Sequence, residues 1–237
     1  MNILYVYILY TMKIYNTEHK NINKNILLPQ HPYTCIIAGP TGSGKTNLLL
    51  NLLMDKDTPF KIIYLFYKVE QPKYDILKEY FKKHKIFFEM WQGLPPPEFK
   101  DIIENEKIRD VPKVVIFDDL MTVTDNNSVN DLYTLGSHHL NLTVINLAQK
   151  IFVSKTQRLN VNYTFLFDFS SDLTTVRNLF MQLEPIKWKV LLKEYEQCMK
   201  TPYAYFMIDL KCKKLDPSRP ELKYRCNSFD DLRVFED

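Results

Sequence analysis

The chain has 237 residues, 46% of them hydrophobic and 25% charged, which suits one α/β domain and excludes an intrinsically disordered chain. A net charge of +3 is low for a dedicated nucleic-acid coat protein. Of the four cysteines, Cys35, Cys198, Cys212 and Cys226, no two have CxxC spacing and the last three have no neighbouring His. That argues against a zinc site or a disulfide framework and predicts reduced thiols in an intracellular protein.

The first residues, MNILYVYILYTMKIY, are apolar for about a dozen positions, too few to span a bilayer. They lack a basic start and a small-residue cleavage site, so neither a signal peptide nor a membrane anchor is predicted. An extra edge strand, or an upstream start before Met12, fits better. Asn16 to Asn25 is a polar linker, and residues 1–28 together read as an N-terminal extension.

From there strands and helices alternate. PYTCIIA is a short strand, followed by a Gly-rich loop. KTNLLLNLLM is a helix with Leu48, Leu49, Leu52 and Leu53 on its inner side. KIIYLFY is a buried strand, and Gln71 to Lys83 has helical spacing through Tyr74, Leu77 and Phe81. KIFFEM is a strand, GLPPP a breaker, and Glu98 to about Lys107 a helix. KVVIF is a central strand ending in Asp118-Asp119. Strands follow at Asn141 to Gln149 and Tyr163 to Phe169. Helices are predicted from Asp172 to Leu183 and from Trp188 to Met199, then a strand from Tyr203 to Leu210. Residues 29–229 form one domain in this reading, and 230–237 a charged tail. The alternation predicts an α/β fold with a mostly parallel central sheet flanked by helices on both faces.

Gly39-Pro40-Thr41-Gly42-Ser43-Gly44-Lys45-Thr46 fits G-x-x-x-x-G-K-[ST] in full, and it contains three of the chain's five glycines. The pattern needs glycines so that successive backbone N–H groups turn toward phosphate oxygens. A lysine there reaches the β/γ-phosphates, and a Ser/Thr hydroxyl ligates Mg²⁺. Residues 39–47, Asn47 included, are therefore the expected ATP-binding segment, with Thr46 as a metal ligand. The strand before and the helix after are the required context, and the helix adds its positive N-terminal end.

VVIFDD supplies the partner. Asp118, at the tip of a strand near the loop, is expected to hold the Mg²⁺ shell. Asp119 is expected to polarise the attacking water; an Asp in place of the commoner Glu shortens its reach. Gln149 ends the next apolar strand on the side where ligands bind in a parallel sheet. A neutral amide there can sense the γ-phosphate and order the water. Lys45, Asp119 and Gln149 are thus the expected catalytic set.

His138-His139 sit side by side. On an extended segment adjacent side chains point oppositely, so a loop or helix-end role outweighs a metal site. Lys68, Lys73, Lys78, Lys82, Lys83 and Lys85 form the densest basic stretch. It reads as a solvated helix face, or as a contact for a nucleic-acid backbone.

The blocks HPYTCIIAGPTGSGKTNLLLNLL, QPKYDILKEYF, GLPPP, VVIFDDLM, LYTLGSHHLNLTVINLAQKIF and TPYAYFMIDL come in the order seen in genome-packaging ATPases of adintovirus, Maverick and virophage type. Over Pro29 to Phe229 the chain resembles this family, related to the poxvirus-type packaging ATPase within the FtsK–HerA group of P-loop motors. The resemblance implies a P-loop fold and a Mg²⁺-dependent ATPase that translocates double-stranded DNA into a preformed capsid. It implies a homo-oligomeric ring, viral capsid proteins as partners and no membrane. The expected location is the host cell at the viral assembly site, or the virion, without secretion.

The resemblance also implies an Arg from a neighbouring subunit at the site, with Arg158 and Arg177 as candidates and Arg225 matching a C-terminal family Arg of unassigned role. In the segment TFLFDFSSD, relatives tend to carry a Lys and an Arg just after the strand; this chain has Asp168 and Ser171 there. That departure motivates an alternative, a divergent nucleotide-binding subunit with weak or no turnover. A small-molecule kinase is the second alternative. It is disfavoured because the chain has no Arg before Arg109 to build a phosphate lid.

Overall fold

The computed structural model describes residues 13–16, 29–55, 58–120, 127–136, 140–151, 159–211, 224–227 and 232–236. By internal contacts the chain divides into two units, Pro29–Asn162 and a second made of Met1–Leu28 with Tyr163–Asp237.

β1 (Lys13–Asn16) belongs to the second unit. Within Pro29–Asn162, β2 (Thr34–Ala38) leads into α1 (Lys45–Met54). Then come β3 (Ile62–Tyr67), α2 (Lys73–His84), β4 (Phe87–Gln92), α3 (Phe99–Glu104) and β5 (Lys113–Asp118). A short helix α4 (Asn127–Asp131) runs into a π-helical turn (Leu132–Gly136) before β6 (Leu142–Ala148). The strand order is β2-β6-β5-β3-β4 and every ladder is parallel.

β2, β3, β5 and β6 are buried almost throughout, as strands covered on both faces must be. One face, with Tyr64, Phe66, Val115, Phe117 and Val144, packs against Phe99 and Ile103 of α3 and Leu132 and Tyr133 of the π-turn. The alternate residues Ile63, Leu65, Val114 and Ile116 are equally buried. α1 and α2 bury Leu48, Leu49, Leu52, Leu53, Tyr74, Leu77 and Phe81. Those are the residues whose helical spacing marked them in the sequence. α3 is shorter than expected because Asn105, at its C-cap, is already extended. At the lower end of β5, Lys113 is fully buried. Its ammonium donates to the carbonyls of Ile108, Arg109, Val111 and Leu140 at 2.6–3.2 Å. Burial lowers its pKa to about 8.

The second unit holds β7 (Tyr163–Leu166), a 3₁₀ turn (Ser170–Asp172), α5 (Leu173–Leu183), α6 (Trp188–Cys198), β8 (Tyr205–Asp209), β9 (Tyr224–Asn227) and β10 (Leu232–Glu236). Its order is β1-β10-β9-β8-β7, antiparallel throughout. The parallel arrangement expected from the sequence therefore belongs to Pro29–Asn162, where helical crossovers join the strands. Residues 230–237, read as a charged tail, carry β10, and the N-terminal extension carries β1. Residues 1–12 lie outside the described residues.

The expectation of reduced thiols does not hold for one pair. Cys198, ending α6, and Cys226, in β9, form a disulfide with Cα atoms 5.8 Å apart. Tertiary packing brings together two buried residues whose sequence separation of 28 carried no local signature. Cys35 is free and buried, and Cys212 lies outside the described residues. No helix among the described residues is long and apolar enough to cross a membrane.

Candidate nucleotide site

Register sets the site. Ala38 of β2 lies level with Ala148 of β6, and Asp118 of β5 level with Leu147. The next residues, Gly39, Gln149 and Asp119, therefore emerge together at the carboxyl edge of the parallel sheet, where open α/β sheets bind ligands. β6 lies between β2 and β5, so Gln149 arises between the loop and the acidic pair. The Gly39 N–H donates to Ala148 O at 3.0 Å and the Asp119 N–H to Leu147 O at 3.2 Å, fastening both to β6.

The loop of residues 39–44 turns through Gly42 (φ 79°) and Gly44 (φ 108°), conformations that cost an L-residue free energy. Lys45 Nζ donates to the carbonyls of Gly39 at 2.7 Å and Pro40 at 2.8 Å. Burial lowers the Lys45 pKa, while Asp118 and Asp119 oppose that shift. Ser43 Oγ is buried without a hydrogen-bond partner among the described residues. An orphaned hydroxyl in a Gly-rich loop at a helix start fits an anionic ligand.

Asp118 is buried. Burial raises its pKa, Asp119 adds to the rise, and the Tyr74 hydrogen bond and the Lys45 ammonium counter it. Its Oδ2 accepts from Gln71 Nε2 at 2.9 Å and from the Tyr74 hydroxyl. Gln71 Oε1 in turn accepts from Thr46 Oγ1 at 3.2 Å. The two residues expected to hold a metal are thus linked through one carboxamide. Asp119 sits at φ 55°, and Gln149 Nε2 donates to both its carboxylate oxygens at 2.8 Å. Asn47 Oδ1 accepts from Lys73 Nζ at 2.6 Å, which ties α1 to α2, and Thr41 is exposed at the loop tip.

Gly39, Lys45, Thr46, Asp118, Asp119 and Gln149, all expected here from the sequence, therefore gather at the one sheet edge. Gln71 and Tyr74 were not foreseen as part of it. They stand in the QPKY block, which the resemblance singled out without giving it a role.

Elsewhere the placement is plainer. Arg225 is 4% exposed and donates to Asp209 at 2.8 Å, a buried pair inside the second unit. The Arg177 guanidinium lies 5.2 Å from the Trp188 ring centroid. Asp168 accepts from the Ser170 N–H at 2.8 Å, and so shapes the turn into α5. Within the basic stretch, Lys78 pairs with Glu70 at 3.1 Å and Asp75 at 3.0 Å, as on a solvated helix face. Arg158 and His138-His139 lie outside the described residues.

The sequence family described as Poxvirus A32 protein matches residues 19–194. No curated protein matches the sequence. Among solved structures, the genome packaging NTPase B204 of Sulfolobus turreted icosahedral virus 2 is similar in its complex with AMPPCP. The TM-score is 0.54 at 12% identity, over 83% of this chain and 97% of that one. Its complex with ATP-gammaS gives a TM-score of 0.53 at 12% identity, with the same coverage. B204 described as the DNA-packaging ATPase of Sulfolobus turreted icosahedral virus gives 0.51 at 12% identity, over 76% of this chain and 93% of that one. At such identity the likeness speaks for the fold, which is that of the P-loop ATPases.

Proposed function

This chain belongs to the poxvirus A32 protein family, and on that premise we propose that it is an ATP-hydrolysing motor that moves double-stranded DNA and packages a viral genome into a capsid. The observation that carries the reading is the common sheet edge shared by the Lys45 loop, the Asp118-Asp119 pair and Gln149, inside the span matched by the family. A phosphate loop faced by two acids and a neutral amide suits water as the nucleophile.

Residues 39–47 bind ATP. The Lys45 ammonium exchanges the carbonyls of Gly39 and Pro40 for phosphate oxygens. Thr46 and Asp118 would hold Mg²⁺, a hard cation suited to a hydroxyl and a carboxylate. When bound, the ion neutralises charge on the phosphates. Asp119 polarises the attacking water, and Gln149 orders that water and loosens its grip on Asp119 as it does so. The chain works as a homo-oligomeric ring in which a neighbouring copy supplies an arginine, with capsid proteins as docking partners. It acts in the host cell at the assembly site, or within the virion.

Phosphate release by the purified full chain, measured with and without duplex DNA at low salt, tests the reading. DNA should stimulate release, and Lys45→Ala should reduce it by about 10²-fold or more. Hydrolysis by an oligomer that neither responds to DNA nor binds it at low salt would sink the motor reading. A second reading has its own observation. The resemblance implies basic residues where this chain has Asp168 and Ser171, and Asp168 is engaged in a local turn. A nucleotide-binding subunit without turnover would bind ATP tightly and release no phosphate on any DNA.

A further inference from the structure

We propose that Gln71 and Tyr74 are positioning residues that hold Thr46 and Asp118 ready for a divalent cation. The inference rests on the reading that those two residues are the metal ligands.

The argument is one of donors and acceptors. A threonine hydroxyl has a single proton. Thr46 directs it to Gln71 Oε1 at 3.2 Å, which leaves the oxygen's lone pairs for a cation. Asp118 Oδ2 takes two donors, Gln71 Nε2 at 2.9 Å and the Tyr74 hydroxyl. Oδ1 has no side-chain donor among the described residues. One carboxylate oxygen is thereby fixed in place and the other is left to the metal shell. The carboxamide suits this bridge because it offers an acceptor and a donor in one rigid plane. Glutamate would set two carboxylates against each other, and lysine would offer no acceptor.

Both positioning groups are themselves held. The Tyr74 N–H donates to Gln71 O at 2.9 Å, and Pro72, at φ −55°, opens the turn with its ring already in helical geometry. Tyr74 is fully buried and its ring lies 5.6 Å from that of Tyr67. β3 carries the chain to the same sheet edge, since Tyr67 is level with Asp118. The arrangement is that of outer-shell partners orienting metal ligands, whose loss commonly weakens metal affinity by 10- to 100-fold.

The test uses the full chain with ATPγS and Mn²⁺ as the probe, free Mn²⁺ being read by electron paramagnetic resonance. Gln71→Met keeps length and loses both hydrogen bonds; Tyr74→Phe keeps the buried ring and loses one. Each should raise the Mn²⁺ dissociation constant about tenfold while ATPγS affinity in EDTA stays unchanged. Unchanged Mn²⁺ affinity with a lowered thermal midpoint would make the bridge a merely structural link and overturn the proposal. Tighter Mn²⁺ binding in Gln71→Met would overturn it too, by making Gln71 a competitor of the cation. Thr46→Ala and Asp118→Asn separate the two levels. If they leave Mn²⁺ binding intact, the metal-site reading itself fails. If they weaken it and the Gln71 and Tyr74 variants do not, only this inference fails.

Discussion

The nucleotide-site edge of residues 29–162 leaves part of its polar chemistry open. Ser43 Oγ has no partner among the described residues, Lys45 rests on carbonyls of its own loop, and Asp119, Gly42 and Gly44 sit at positive φ. Among the described residues of 163–237, several buried polar groups close on one another. Arg225 meets Asp209 at 2.8 Å. The Tyr195 hydroxyl donates to Phe167 O at 2.8 Å and accepts from the Phe169 N–H at 2.7 Å. Tyr224 donates to Glu184 at 3.0 Å, and Cys198 is bonded to Cys226. The first pattern suits the proposed ligand site, since local strain persists where surrounding structure imposes it. The second is what a supporting unit looks like. Substitutions in the second unit should therefore move stability more than nucleotide affinity, and substitutions in the loop the reverse.

The severest trial of that contrast is Arg225→Met. It takes the guanidinium away from the buried Asp209 carboxylate, with only 10% of its side chain exposed, and removing one partner of a buried pair costs about 3–5 kcal/mol. Urea unfolding should show a loss of that order, and Arg225→Met with Asp209→Leu should recover most of it, because a well-packed apolar pair can replace a buried ion pair. ATPγS affinity of the folded fraction should not change. A parallel fall in affinity would break the separation and give Arg225 a part in nucleotide binding.

Reduction of the Cys198–Cys226 disulfide should have the next largest effect. Closing a loop of 28 residues restricts the unfolded chain by about 3.6 kcal/mol in the chain-entropy account. The thermal midpoint should drop on adding reductant, and Cys198→Ser should show the same drop without it. Phosphate release at low temperature should be the same oxidised or reduced. A reductant-sensitive rate with an unchanged midpoint would reverse the assignment of roles.

The same contrast explains what the sequence made legible. Lys45, Thr46, Asp118, Asp119 and Gln149 could be named because each sits at a strand end or helix start that local periodicity defines, and parallel register then aligns those ends. Gln71 and Tyr74 could not, because their role depends on contacts to residues 44–47 positions away at Asp118 and, for Gln71, 25 away at Thr46, and a Gln or Tyr carries no motif chemistry of its own. The disulfide and the Arg225–Asp209 pair were hidden for the same reason: spacing of 28 and 16 residues has no local signature. The charges of residues 230–237 mask the strand character of β10, although Leu232, Val234 and Phe235 interleave them. The β-propensity of such a run is expressed only once partner strands exist, and β9 and β1 supply them.

The smallest expected change in stability, and the finest test, is Gly42→Ala. A Cβ at Gly42 would meet nothing within 4 Å, so no clash opposes it. What opposes it is φ 79°, which costs an L-residue about 1–2 kcal/mol. Reduced freedom of the unfolded chain offsets roughly 0.4–1 kcal/mol of that, so at the middle of each range stability should fall by about 0.8 kcal/mol. The functional consequence should be larger. To relieve the strain the loop must rotate toward negative φ, which turns backbone N–H groups away from the direction in which phosphates are held. ATPγS affinity should therefore drop by about tenfold, more than a 1 kcal/mol change in stability would account for, with the unfolding midpoint nearly constant. If affinity and stability fall by the same free energy, the strain at Gly42 belongs to the fold and not to the ligand, and the contrast between the two units loses its sharpest edge.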